Sequence, residues 1–304
     1  MLNPILTSSA VRRMRSIRLP LVLLGYAIMM TAIAYVGYAQ YMDHVFVTML
    51  GQGNRMHGIL IMLQCVLLVL ISPAMTSGAI AGERERQTLE MLLVTRTGAY
   101  RIVMGKLLES MMSLVLVVLC GLPAMCLNLL LGGVTVSQIL LTECYLIALA
   151  FAAGAIGVFA SSLCRTTMVS TIVSYILILL IGFLGTLPAF LGYTQRVTDV
   201  LYDQQQYDAL TAAGCMRLFS PVFYFEPGIG AASLLLDQTN LLYDMFLYRS
   251  WGRILATYMM MQKIGFPLLV ILNIGGMTLM GLFFSLIAAL RVRRVEGRRR
   301  GKRR

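Results

Sequence analysis

The chain has 304 residues, 59% of them hydrophobic and only 12% charged, with a formal net charge of +12. Apolar runs of about 20 residues, the length that crosses a hydrocarbon core, recur along it; a soluble globular domain is excluded, and so is a β-barrel, whose strands would alternate in polarity. Nor does the basic surplus point to nucleic acid, because the arginines sit at the ends of the apolar runs and are not interleaved with aromatic residues. The fold class expected is all-α, a polytopic membrane protein.

Residues 1–18 open with Asn3-Pro4-Ile5-Leu6 and carry Arg12, Arg13, Arg15 and Arg18. Ile5, Leu6, Val11, Met14 and Ile17 share a helical face, the pattern of an interfacial helix lying along the inner leaflet; a basic flank without helical structure is the alternative. The apolar run that follows is too long for a signal core and lacks a small-residue cleavage site, so it reads as a retained span. Six transmembrane helices are expected, at 19–39, 57–81, 103–131, 138–163, 168–191 and 265–290.

With both termini cytoplasmic, only Arg55, Arg196, Arg217, Arg249, Arg253 and Lys263 of the 25 basic residues fall on outer segments. Lysine and arginine gather on the cytoplasmic side, so the chain is oriented N-in and C-in, as a multi-pass protein of the cell membrane. His44 and His57 have no neighbouring ligands with metal-binding spacing, and no metal site is expected. Cys65, Cys120, Cys126, Cys144 and Cys164 lie in or beside spans, leaving Cys215 alone in the long outer segment. That segment, 192–264, is expected outside the membrane between spans five and six. Its apolar helical patterns at 197–213 and 229–248 are broken by Ser220-Pro221 and Glu226-Pro227-Gly228, which suggests a re-entrant or surface-lying helical pair. The tail 291–304 has Glu296 as its only acid. Placed directly after a span, its arginines would attract anionic lipid.

The densest chemistry lies between the second and third spans, in Gly82-Glu83-Arg84-Glu85-Arg86-Gln87-Thr88-Leu89-Glu90-Met91-Leu92-Leu93. Gly82 is expected to end the second span. Arg86 and Glu90 stand four apart and would pair on a helix, while Leu89, Leu92 and Leu93 form an apolar stripe. A short helix over 82–98 with one apolar stripe and charged ends suits docking in a groove on a cytoplasmic partner. Thr95-Arg96-Thr97-Gly98 stops it. Within the spans, the carboxylates Glu109 and Glu143 are the candidates for a cargo path, since intramembrane carboxylates are functional by default; a solvated position near an interface is the alternative for both.

The order Gly-Glu-Arg-Glu-Arg-x-Thr-Leu-Glu-x-Leu-Leu, with Thr95 and Gly105-Lys106-Leu107-Leu108 after it, resembles the permease subunits of type-2 ATP-binding-cassette (ABC) exporters. The Asn3-Pro4-Ile5-Leu6 start, the six-span pattern and Pro123 in the third span extend the likeness, which is weak over 192–264. The resemblance implies a single membrane domain over 1–304, in which 82–98 is the coupling helix that contacts the nucleotide-binding subunit. Glu83, Arg84, Glu85, Arg86, Thr88, Leu89, Glu90, Leu92 and Leu93 map onto that region, and Gln87 departs from the family, where glycine is common.

This chain has no ATP site of its own: Gly105-Lys106 is followed by Leu107, and position 100 is Tyr where a phosphate-binding loop needs Gly. No cofactor is expected in it, ATP and Mg being bound by the ATPase partner, and a second permease copy or a related permease would complete the path. Two other readings remain at this point. One is a cell-envelope or signalling regulator with the same coupling but no cargo. The other is an intramembrane enzyme, which would need facing acid, His or nucleophile groups at membrane depth.

Overall fold

The computed structural model describes residues 18–42, 49–88, 99–131, 134–202, 225, 227–228, 230–231, 234 and 266–302. Seven helices are described in it: α1 Arg18–Met42, α2 Met49–Thr76, α3 Gly78–Glu85, α4 Ala99–Leu131, α5 Val136–Leu163, α6 Thr167–Tyr202 and α7 Phe266–Lys302. Among the described residues there is no strand. Long apolar segments choose helix because every backbone N–H and C=O is then paired within its own segment, which hydrocarbon demands.

Five stretches are long and apolar enough to cross a membrane: Met56–Glu85, Tyr100–Leu129, Val136–Leu163, Thr167–Leu184 and Leu268–Val292. The apolar part of α1, Pro20–Val36, is shorter, although the whole helix has 25 residues. The second expected span therefore comes in two pieces, α2 and α3, and runs on to Glu85. Gly82 does not end it. Two further boundaries move outward: α6 continues to Tyr202, past the expected end at 191, and α7 runs without a break to Lys302. The basic tail thus begins as the rigid continuation of the last span. The expected interfacial helix lies outside the described residues apart from Arg18, as does most of 192–264.

α5 is the centre of the bundle. Its apolar window is 78% buried, against 11% for that of α6. The cause is composition: Ala152, Ala153, Gly154, Ala155 and Gly157 let neighbouring helices approach closely. Gly154 faces Met111 and Leu114 of α4, with a Cβ built there only 3.3 Å from the Met111 sulfur, and Gly157 faces Thr76 of α2. From α7, Gly281 lies against Phe151. The start of α5 is fixed locally by a capping box, in which Thr135 accepts from the Gln138 backbone and the Gln138 side chain accepts from the Thr135 N–H at 2.9 Å.

Part of the segment between α6 and α7 reaches into this core. The Tyr145 hydroxyl donates to the carbonyl of Pro227, a Cβ at Gly230 would meet Asn273 and Tyr145, and Leu234 is fully buried. Tyr145 and Asn273 lie two to three turns inside α5 and α7. Pro227, Gly230 and Leu234 therefore pack beside the helices, below their ends.

Candidate functional site

The site is built on an interruption. Pro73, one turn before the end of α2, has no N–H to donate to the helical ladder, and Ser77 separates α2 from α3. A helix that restarts this way exposes first-turn N–H groups needing acceptors. Ser161 of α5 supplies one: its Oγ accepts from the N–H of Ile80 at 2.9 Å and of Ala81 at 2.8 Å. From α6, Ser170 Oγ donates to the Ser77 carbonyl at 2.9 Å, and the Ser77 and Thr171 hydroxyls share a bond of 2.7 Å. Gly78 and Gly82, one turn apart, face the methyl group of Thr167, which would stand 3.8 and 3.4 Å from a Cβ built at each. Side chains of two neighbouring spans thus hold a break that the bilayer would otherwise penalise.

At the far end of α3, three consecutive charged residues reach three different helices. Glu83 pairs with Lys106 of α4 at 2.6 Å, and Lys106 also holds Glu109 at 3.1 Å. Arg84 donates to the carbonyls of Cys164 at 2.7 Å and Ser162 at 3.4 Å, at the end of α5. Glu85 accepts from the Thr167 hydroxyl at 2.9 Å, in the first turn of α6. The signs suit the helix dipoles, with a cation at the carbonyl end of α5 and an anion at the amide end of α6. The Glu83, Lys106 and Glu109 side chains are all less than a fifth exposed, so their attraction is less screened than that of surface pairs.

Beyond this clamp the chain turns. The Thr88 N–H bonds to the Glu83 carbonyl at 3.0 Å, and the Gln87 N–H bonds to the Arg84 carbonyl at 3.2 Å. Those two bonds are the crossed pair of a Schellman motif, which needs a left-handed residue after the cap. Gln87 occupies that position with φ 59°, and it is the only non-glycine residue with positive φ among those described. The family's common glycine at 87 has its physical reason here: glycine adopts that conformation without strain. Arg86, Gln87 and Thr88 are exposed.

Glu83, Arg84 and Glu85, expected to belong to a docking helix, are engaged with neighbouring helices of the chain. α3 ends at Glu85, and a turn over Arg86–Thr88 interrupts the helix expected over 82–98. Leu89, Glu90, Leu92 and Leu93, with the Arg86–Glu90 pairing and the leucine stripe, lie outside the described residues. Glu109 belongs to the charge cluster with Lys106. Glu143 is different: it is buried in α5, and neither carboxylate oxygen has a hydrogen-bond partner among the described residues. The Tyr26 hydroxyl and Gln64 side chain meet over Gly121 of α4.

Sequence reasoning missed Ser161, Ser162, Thr167, Ser170 and Thr171, which carry no charge. Their signal was a cluster of hydroxyl residues around a junction of only three residues between two apolar helices.

Residues 9–251 match the family model described as ABC-2 family transporter protein. No curated protein matches the chain.

Proposed function

Since the chain belongs to the ABC-2 transporter family, we propose that it is the permease subunit of an ATP-driven exporter, coupled to a separate nucleotide-binding subunit that binds ATP and Mg. The observation that carries this reading is the exposed turn Arg86–Thr88, standing on a short helix tied to three spans. A force applied at that turn has a stiff route into the bundle. The docking surface then begins at Arg86 and Thr88 and continues through Leu89, Glu90, Leu92 and Leu93, while Glu83, Arg84 and Glu85 anchor it.

We propose an orientation from the same end of the molecule. The start of α1, the α3 turn, the α5–α6 junction and the end of α7 alternate with the opposite helix ends, and the basic residues concentrate with them. We place this end, with both termini, in the cytoplasm. The arginines after Val292 meet anionic lipid first and then continue along the helix away from the surface. A second copy or a related permease completes the translocation path, with Glu143 on it.

The test is a mild-detergent pull-down of the tagged chain from native membranes. A stoichiometric P-loop ATPase is expected, released by Leu89→Arg with Leu93→Arg but retained by Glu83→Gln. Purification of the chain without any ATPase would overturn the reading.

A further inference from the structure

We infer that Glu83, Arg84 and Glu85 are positioning residues that join α3 to the adjoining ends of α4, α5 and α6 as one mechanical unit, so that displacement of the Arg86–Thr88 turn moves three spans together. This rests on the permease reading above. What sets the triplet apart is its distribution. Lys106 receives Glu83, the Cys164 and Ser162 carbonyls receive Arg84, and Thr167 reaches Glu85. In the bonds described, the three side chains reach three different helices. A docking helix presenting its charges to another protein would leave them outward; here Glu83 and Arg84 are half-buried against neighbouring helices, and the exposed Glu85 is held by Thr167.

The second half of the device is the break at Ser77. α3 is bonded laterally to α5 and α6 through Ser161, Ser170 and Thr171, while its own span is interrupted between Thr76 and Gly78. Side chains inserted at such an interruption are where helices bend. α3 is thus tied laterally to α4, α5 and α6, on which α2 also packs, and the interruption at Ser77 is the point at which the span can bend when the turn is displaced. A localised bend of this kind is an element that a rocking or shear transition can use.

The clamp is read out from α6, at a distance from the turn. An environment-sensitive fluorescent amino acid replaces Met168, which is 77% exposed in the first turn of α6, in the complex of the chain with its co-purifying ATPase. Trapping ATP with vanadate is expected to shift the emission in the wild-type background. Arg84→Ala should keep the ATPase at unchanged stoichiometry while reducing that shift five-fold or more, and Arg84→Lys, which can still reach one carbonyl, should restore about half of it. An undiminished shift in Arg84→Ala overturns the inference, as does a wild-type complex that binds the ATPase and shows no shift. If Arg84→Ala fails to assemble, Glu83→Gln decides by the same two readouts; loss of assembly in both would mean a role in folding alone and overturn it. A wild-type chain that co-purifies no ATPase removes the permease reading, and the clamp's role with it.

Discussion

The Ser161 hydroxyl, on α5, stands 2.9 Å from the Ile80 backbone nitrogen and caps a helix that belongs to a different span. The same oxygen takes the Ala81 N–H, and both residues are buried, at 2% and 0% exposure. Ser161→Ala therefore leaves two N–H groups without this acceptor where water cannot replace it. The expected cost is about 1–3 kcal/mol, seen as a lower thermal midpoint in detergent and faster amide exchange over residues 78–88. Unchanged exchange there would show that α3 does not depend on this cap.

Gln87 offers the opposite sign. A non-glycine residue in the left-handed region carries about 1–2 kcal/mol of steric strain, so Gln87→Gly should stabilise the corner by about 1 kcal/mol. Glycine also gains entropy when unfolded, which offsets part of that. The check is a rise in melting temperature together with slower exchange at Thr88, whose N–H closes the motif at 3.0 Å.

Gly157 admits no side chain as the helices now stand. A Cβ there would collide with the Thr76 hydroxyl, just before the break. Gly157→Ala should lower stability by about 1–3 kcal/mol, the usual range for overpacking. Thr76→Ala in the same chain should recover part of the loss, since it removes the colliding oxygen and leaves only the Cβ close. Absence of any recovery would place the contact elsewhere.

Glu143 has a buried carboxyl and no bonding partner for either oxygen among the described residues. A charge buried without a partner costs several kcal/mol, so Glu143→Gln should hold or raise the thermal midpoint, and Glu143→Lys should prevent accumulation of folded protein. A large drop with Gln would reveal a partner that depends on the carboxylate. On the proposed cargo path, the Gln variant would also assemble with the ATPase at wild-type stoichiometry and fail only in transport.

The membrane class and the positions of α4 and α5 were legible because hydrophobic run length is set by bilayer thickness, a constraint visible residue by residue. Charge density and a family pattern drew attention to 82–90, but the geometry of its described residues was not legible. Whether Glu83 and Arg84 face inward or outward depends on where Lys106 and the Cys164 carbonyl lie, and no local periodicity encodes contacts across 80 positions. The break at Ser77 was hidden for a related reason. Pro73 announces a weakness in the ladder, yet the acceptor and donors that make an interruption tolerable, Ser161 and Ser170, come from helices made later. The departure at Gln87 carried no weight in the sequence; only the backbone reveals its left-handed conformation.

The pairing of α5 with α7 is the most extensive between any two described helices, and it has a bearing on biosynthesis. α5 emerges from the ribosome long before α7, with the whole of 164–265 still to be made. During that interval the face of α5 that will receive Gly281 stands open to lipid or to the insertion machinery, and it stays open after the partners of the α3 clamp, which end with Thr171 in the first turns of α6, have been made. Completion of the bundle is thus timed by the last helix. A chain stopped just before Phe266 would carry an intact α3 clamp on an unfinished core, and it is this open seam that membrane quality control would meet.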